Sequence, residues 1–237
     1  MHSRKSLLMI LVVSLVVLIL PTAAMAASVS VECAYTSADL VCYIYADTAG
    51  DNLLSAGVKL NYNTDELVNP VASKNEAVWY FGDETAPTPY MEAETTTPGE
   101  VTFIVGKLDN AAPLAGVSGA RVEIGKVSFD RTTSDVPIVD PIARFGISAG
   151  LGRDNATYAN FVNTANPSTV LDTSVIFVTP VVVERCDVNA SGAITTLDFT
   201  YLRAMLRDNS DYAVFADCNG SGTLTTLDFT YLRAKLR

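Results

Sequence analysis

A 21-residue unit occurs twice near the C-terminal end of this chain, thirty residues apart, and it restricts the fold more than any other feature of the 237 residues. Asp187 to Arg207 reads DVNASGAITTLDFTYLRAMLR, Asp217 to Arg237 reads DCNGSGTLTTLDFTYLRAKLR, and 16 of the 21 positions are identical. Each copy opens with a fixed order of oxygen-bearing side chains. A hard divalent cation takes roughly six to eight oxygens, and a twelve-residue loop supplies them from side chains at positions 1, 3 and 5, the carbonyl of position 7, position 9 and a closing carboxylate. In the first copy these are Asp187, Asn189, Ser191, the carbonyl of Ala193, Thr195 and Asp198; in the second they are Asp217, Asn219, Ser221, the carbonyl of Thr223, Thr225 and Asp228. Gly192 and Gly222 hold the sixth position, where the chain turns sharply and only glycine accepts the dihedrals without strain. The spacing predicts two Ca2+ sites.

A helical period follows each loop, with Leu197, Phe199, Tyr201, Leu202 and Leu206 on an apolar face and Leu227, Phe229, Tyr231, Leu232 and Leu236 repeating it. No entering helix precedes either loop. A loop and exit helix, duplicated over Cys186 to Arg237, resembles a type I dockerin, a calcium-dependent module that plugs secreted proteins into cohesins. Ser191 and Ser221 stand where that family commonly has aspartate, leaving two carboxylates per loop and implying weaker calcium binding. The resemblance implies cohesin contacts at Thr196, Leu197, Arg203 and Ala204, and at Thr226, Leu227, Arg233 and Ala234. From the residues alone, Leu197 and Leu227 serve either that contact or the core, and the arginines either that contact or a solvated face. Near-identity of the copies further implies a partner that docks in two orientations related by about 180 degrees.

The beginning of the chain has the pattern of an export signal. Arg4 and Lys5 precede an apolar run from Leu7 to Leu20, then Pro21 and the small-residue site Ala24-Met25-Ala26, so cleavage is expected after Ala26. That run is short against the roughly 20 residues that span a bilayer. Removal of residues 1–26 leaves 14 basic and 26 acidic residues and takes away His2, the one histidine. The expected product is extracellular. Its inventory excludes Ser-His-Asp and Cys-His catalytic units and histidine-ligated zinc. Its acidity argues against nucleic acid, which attracts basic surfaces.

An even number of cysteines in an exported chain suggests disulfides. Val29 to Tyr35 and Leu40 to Ala46 read as two strands around a short turn, and with Tyr35 opposite Leu40, Cys33 falls opposite Cys42. That register also puts Val31, Cys33 and Tyr35 on one face with Leu40, Cys42 and Ile44. Cys33 is therefore paired with Cys42, leaving Cys186 for Cys218.

Further short runs rich in β-branched and aromatic residues cover Ala56 to Tyr62, Ala77 to Phe81, Glu100 to Lys107, Ala120 to Phe129, Ile142 to Ile147 and Ser174 to Val183. Eight such strands and no persuasive helix over residues 27–184 predict a jelly-roll-like β-sandwich burying alternate residues, followed by a small α-helical module over 185–237. Leu40 to Tyr45, Ala56 to Leu67, Gly116 to Phe129 and Ser174 to Val178 resemble the strands of a cohesin, with Asn63 where that family has aspartate. This resemblance implies a second interaction module, one that accepts a dockerin and allows the chain to link to itself head to tail.

Catalysis finds little support. Glu92, Glu94, Glu100 and Glu123 are the acids available to a glycosidase, but no spacing selects a pair from them. Trp79, Tyr80 and Phe81, with the Pro-rich stretch to Tyr90, form the one local aromatic cluster, read either as core at a strand end or as a platform for stacking on sugar. The alternative reading is thus a dockerin-borne carbohydrate-binding module acting on polysaccharide. Asn155-Ala-Thr157 is a glycosylation sequon. The leading expectation is a non-catalytic assembly protein.

Overall fold

The computed structural model describes residues 26–79, 92–107, 115–153, 159–164, 169–208 and 210–237. The export signal, the aromatic and Pro-rich stretch from Tyr80 to Tyr90 and the sequon at Asn155 lie outside these residues.

Apolar residues alternate along β1 (Ser28–Tyr35) and β2 (Asp39–Asp47), and the two pair antiparallel across a turn closed by Thr36 N–H to the Asp39 carbonyl at 2.9 Å. The register is the one expected: Tyr35 opposes Leu40, and Cys33 opposes Cys42 with a Cα separation of 4.0 Å and a bonded sulfur pair. β3 (Leu53–Asn61), β4 (Leu67–Lys74), β5 (Glu100–Gly106) and β6 (Val122–Arg131) follow, then the helix α1 (Pro141–Phe145) and the short strands β7 (Ser148–Leu151), β8 (Val162–Asn163), β9 (Ile176–Phe177) and β10 (Val181–Glu184). One sheet runs β10-β1-β2-β6-β4, with β9 also on β1; the other runs β5-β3-β7, with β8 also on β3.

The inner faces meet in one core. Ile44 and Phe129 from the first sheet, and Val58, Leu60, Val101 and Phe103 from the second, are all buried there. Gly125 of β6 permits the close approach, because a Cβ there would lie 2.6 Å from the Ser73 carbonyl oxygen and 2.9 Å from the Phe103 ring. A bulge beside it, between Ile44 and Tyr45 of β2, sets Gly125 opposite Ile44 and Glu123 opposite Tyr45, so that Ile124 is the extra residue.

Three local expectations are corrected. Ile142 to Ile147 is not a strand: the Asp140 side chain accepts from Ala143 N–H, Pro141 sits in the first turn and Gly146 closes the helix at φ +63, so capping chemistry turns the segment into α1. Ala77 to Phe81 is not a strand over its described part, since Val78 and Trp79 N–H both turn back to the Asn75 carbonyl. The strand lies earlier, in β4, an edge strand disguised by Asn69 and Pro70; these sit at the bulge between Val68 and Val71, where a missing N–H is tolerated. Ser174 to Val183 is divided around Pro180 into β9 and β10.

The C-terminal helices α2 (Thr196–Asp208) and α3 (Thr226–Lys235) pack together, with Leu202 and Leu232 buried and Phe199 stacked on Phe229 at 5.8 Å. Cys186 and Cys218 are bonded beneath them. β10 leads into this module directly, because Arg185 N–H donates to Tyr35 and Cys186 N–H donates to Phe215.

Candidate calcium loops and docking surface

Each loop is organised by its two aspartates. In the first, Asp187 accepts from Ser191 N–H at 2.9 Å and Gly192 N–H at 2.7 Å, while Asp198 reaches back across the loop to Asn189 N–H at 3.1 Å and Thr195 N–H at 2.6 Å. The second repeats this with Asp217 on Ser221 and Gly222 N–H at 3.0 and 2.7 Å, and Asp228 on Asn219 and Thr225 N–H at 3.2 and 2.7 Å. Gly192 and Gly222 have φ of +88 and +82, as the sixth position requires. Asn189 and Asn219 accept from the serine N–H two residues on, and Ser191 and Ser221 donate to the carbonyls of Ala193 and Thr223. Thr195 and Thr225 cap the helices by accepting from Leu197 and Leu227 N–H.

All six positions of each loop therefore bring oxygen to a common turn. The four aspartates are at most 2% exposed, and no ion pair among the described residues involves any of them. Burying carboxylates without counter-charge is costly, and backbone N–H groups compensate only part of it. Carboxylate, amide, hydroxyl and carbonyl oxygens suit a hard cation such as calcium, so the residues present fit the group that the sequence implies.

The helices present a second, duplicated feature. Leu197 and Tyr201 on α2 are 59% and 52% exposed, and Leu227 and Tyr231 on α3 are 60% and 53% exposed. Thr196, Arg203, Thr226, Arg233 and Ala234 are also exposed, while Ala204 is half-buried. The helical period groups these tyrosines with Phe199, Leu202 and their counterparts on one apolar face, and the structure divides that group. One turn separates Leu197 from Tyr201, so they share a face, and Phe199 and Leu202 take the other one toward α3. Tyr201 and Tyr231 are the contact candidates that the sequence reading missed; the signal was an aromatic residue one turn after a leucine, present in both copies.

The sandwich offers less to chemistry. Trp79 is buried and donates its indole N–H to the Glu123 carbonyl at 2.9 Å, so its face is not open to a sugar. Glu94 pairs with Thr102 across a bridge, Glu100 stands two residues before Thr102 on β5, and Glu123 sits half-buried on the opposite sheet, where burial raises its pKa.

The C-terminal module, with its paired oxygen-rich loops and exposed helix faces, resembles the calcium-loop class of interaction modules. Residues 183–237 match the family model of the Dockerin type I domain, a calcium-binding assembly module rather than a catalytic one. The N-terminal part resembles cohesin modules in structure. The seventh ScaB type I cohesin of Pseudobacteroides cellulosolvens is similar at 13% identity, 66% of this chain, 90% of its own and a TM-score of 0.43. The sixth cohesin of Acetivibrio cellulolyticus scaffoldin B, solved with a Cel5 dockerin, is similar at 12% identity, 66% of this chain, 97% of its own and a TM-score of 0.41. A type I cohesin–dockerin complex of Clostridium thermocellum is similar at 10% identity, 65% of this chain, 90% of its own and a TM-score of 0.38. No curated protein matches the chain. No helix among the described residues is long and apolar enough to cross a membrane.

Proposed function

We propose that this chain is an exported, non-catalytic assembly protein whose module at residues 185–237 binds calcium in both loops and docks a cohesin on another protein. The observation that carries the reading is a duplicated pair of buried aspartates, four in all and with no ion-pair partner among the described residues, in loops that set two exposed Leu-Tyr faces within a segment matched by the dockerin model. Bound calcium supplies the positive charge that the buried carboxylates lack. Asp198 and Asp228 join loop to helix, because each closes its loop and also lies in the first turn of the helix carrying the contact residues. Loop order thereby sets the pose of Leu197, Tyr201, Leu227 and Tyr231. The sandwich at residues 27–184 serves as the second interaction module.

Calorimetric titration of the full exported chain tests this. Two calcium sites are expected, with capture by an immobilised type I cohesin in calcium and release in chelator. The Asp198→Ala, Asp228→Ala double variant should lose both sites and the capture. Retention of two sites by that variant would remove the loop assignment. Calcium binding without capture by any of a panel of cohesins would remove the docking reading.

A further inference from the structure

The two copies are nearly identical in sequence but not in surroundings. The segment between them crosses the outer face of the first sheet: Val214 is buried against Ala34, Tyr43 and Tyr45, and the Tyr212 ring lies 5.2 Å from the ring of Tyr43. Arg121 fixes this crossing by donating to the Tyr212 carbonyl at 2.6 Å, pairing with Glu32 at 2.5 Å and lying 3.8 Å over the Tyr45 ring. The Tyr212 hydroxyl donates to Asp217 Oδ2 at 3.0 Å, the first carboxylate of the second loop. In the first copy the corresponding position, five residues before Asp187, is Val182, which has no hydroxyl to offer.

The differences between the copies follow the same asymmetry. Of the five positions that differ, three lie where the second copy meets the sandwich or the segment entering the module. Cys218 replaces Val188 and is bonded to Cys186. Gly220 replaces Ala190 beneath Arg185, whose Nη1 lies 2.9 Å from where a Cβ would stand and whose Nη2 is 3.5 Å from Asp39. Lys235 replaces Met205 and pairs with Glu184, the last residue of β10, at 2.6 Å. A cleft of about 310 Å³ between the second loop and the sheet is lined from both sides, by Tyr43 and Lys126 and by Asp217 and Gly220.

We propose that the two loops have separate duties: the second is an intramolecular clamp, tied through Tyr212 and Arg121 to the sandwich, so that its filling with calcium holds the module on Tyr43 and Tyr45, while the first does not take part in that hold. This rests on the calcium-binding reading above. Tyr212 is a positioning residue, orienting Asp217 on one side and covering Tyr43 on the other. An emptied second loop leaves Asp217 and Asp228 buried without counter-charge, and the relief open to them is hydration, which draws Tyr212 away from the sheet.

Hydroxyl-radical footprinting of the full exported chain, read by mass spectrometry, measures the cover over Tyr43. Labelling of Tyr43 should be low in calcium, rise several-fold in chelator, rise equally in Asp217→Ala kept in calcium, and stay low in Asp187→Ala under the same conditions. Tyr212→Phe keeps the ring but not the hydroxyl, and should weaken one of two calorimetric calcium sites by roughly tenfold, the usual scale for losing a group that orients a ligand. Equal exposure of Tyr43 by Asp187→Ala and Asp217→Ala, or protection unchanged by chelator, would overturn the clamp while two calcium sites still upheld the loop assignment. Absence of calcium binding by the wild-type chain would overturn both.

Discussion

Replacing Cys186 and Cys218 together with alanine tests how far the C-terminal module depends on its covalent tie. The bridge spans 32 residues of sequence, which in the chain-entropy model corresponds to about 3.7 kcal/mol of lost freedom in the unfolded state. A core as small as that of this module rarely supplies more than about 3 to 5 kcal/mol. The bridge is therefore comparable to the whole stability of the module when calcium is absent. Each calcium site filled at a hundred times its dissociation constant adds about 2.7 kcal/mol, so two filled sites outweigh the lost bridge. The double variant is expected to stay folded in saturating calcium with a lower denaturation midpoint, and to lose the module in chelator while the wild type retains it. Circular dichroism at the helical band follows the module selectively, since α2 and α3 are the only long helices among the described residues. Coincident helix transitions for variant and wild type in chelator would refute the argument. For comparison, the Cys33 to Cys42 bridge spans 9 residues, about 2.6 kcal/mol by the same model, inside a hairpin already closed by eight residue pairs.

Three further outcomes follow from the sandwich. Gly125→Val drives a side chain into the Ser73 carbonyl and the Phe103 ring, and a loss of about 3 kcal/mol is expected from urea midpoints, with the first sheet displaced from the second. Trp79→Ala should cost about 3 to 5 kcal/mol of stability and leave polysaccharide retention unchanged, because the indole is buried; weaker retention measured where the variant is still folded would contradict this. Burial raises the pKa of Glu123 above 4.5, so its protonated form favours the fold and that contribution is lost as pH rises through the raised value. Glu123→Gln should gain stability over the wild type on going from about pH 4 to about pH 7, and a gain that shrinks over that range would reverse the sign of the argument.

The hairpin of β1 and β2 was legible because alternation and two cysteines demanded one register, and a slip of a single residue would have sent Cys33 and Cys42 to opposite faces. The loops were legible because their aspartates, glycine and other oxygen-bearing residues recur at the same intervals in both copies. Short elements held by capping were not. A helix of five residues is too brief to show a period, and the signals for α1 were Asp140, Pro141 and Gly146 rather than its apolar residues. β4 was hidden because Asn69 and Pro70 are unfavourable in a paired strand, and only its edge position and bulge make them acceptable. Trp79 read as either core or platform because aromatic residues at a strand end serve both cores and clefts. The indole N–H on Glu123 decides between them, and that contact joins residues 44 apart in sequence.

The meeting of module and sandwich left its own trace in β2. An antiparallel sheet with one solvated face should alternate apolar and polar residues, yet the outward row of β2 is Val41, Tyr43 and Tyr45, as apolar as a core row. Tyr43 and Tyr45 are 8% and 4% exposed; Lys126 and Arg121 lie over their rings, and the apolar cover is Val214 and its neighbours from the module. A strand buried on both faces within a two-sheet sandwich implies a third layer, and here that layer is the crossing between the two repeats. The consequence is thermodynamic as well as geometric. Because the same residues close the outer face of β2 and lead into the second loop, order in that loop and burial of β2 are coupled, and a ligand that favours either favours both.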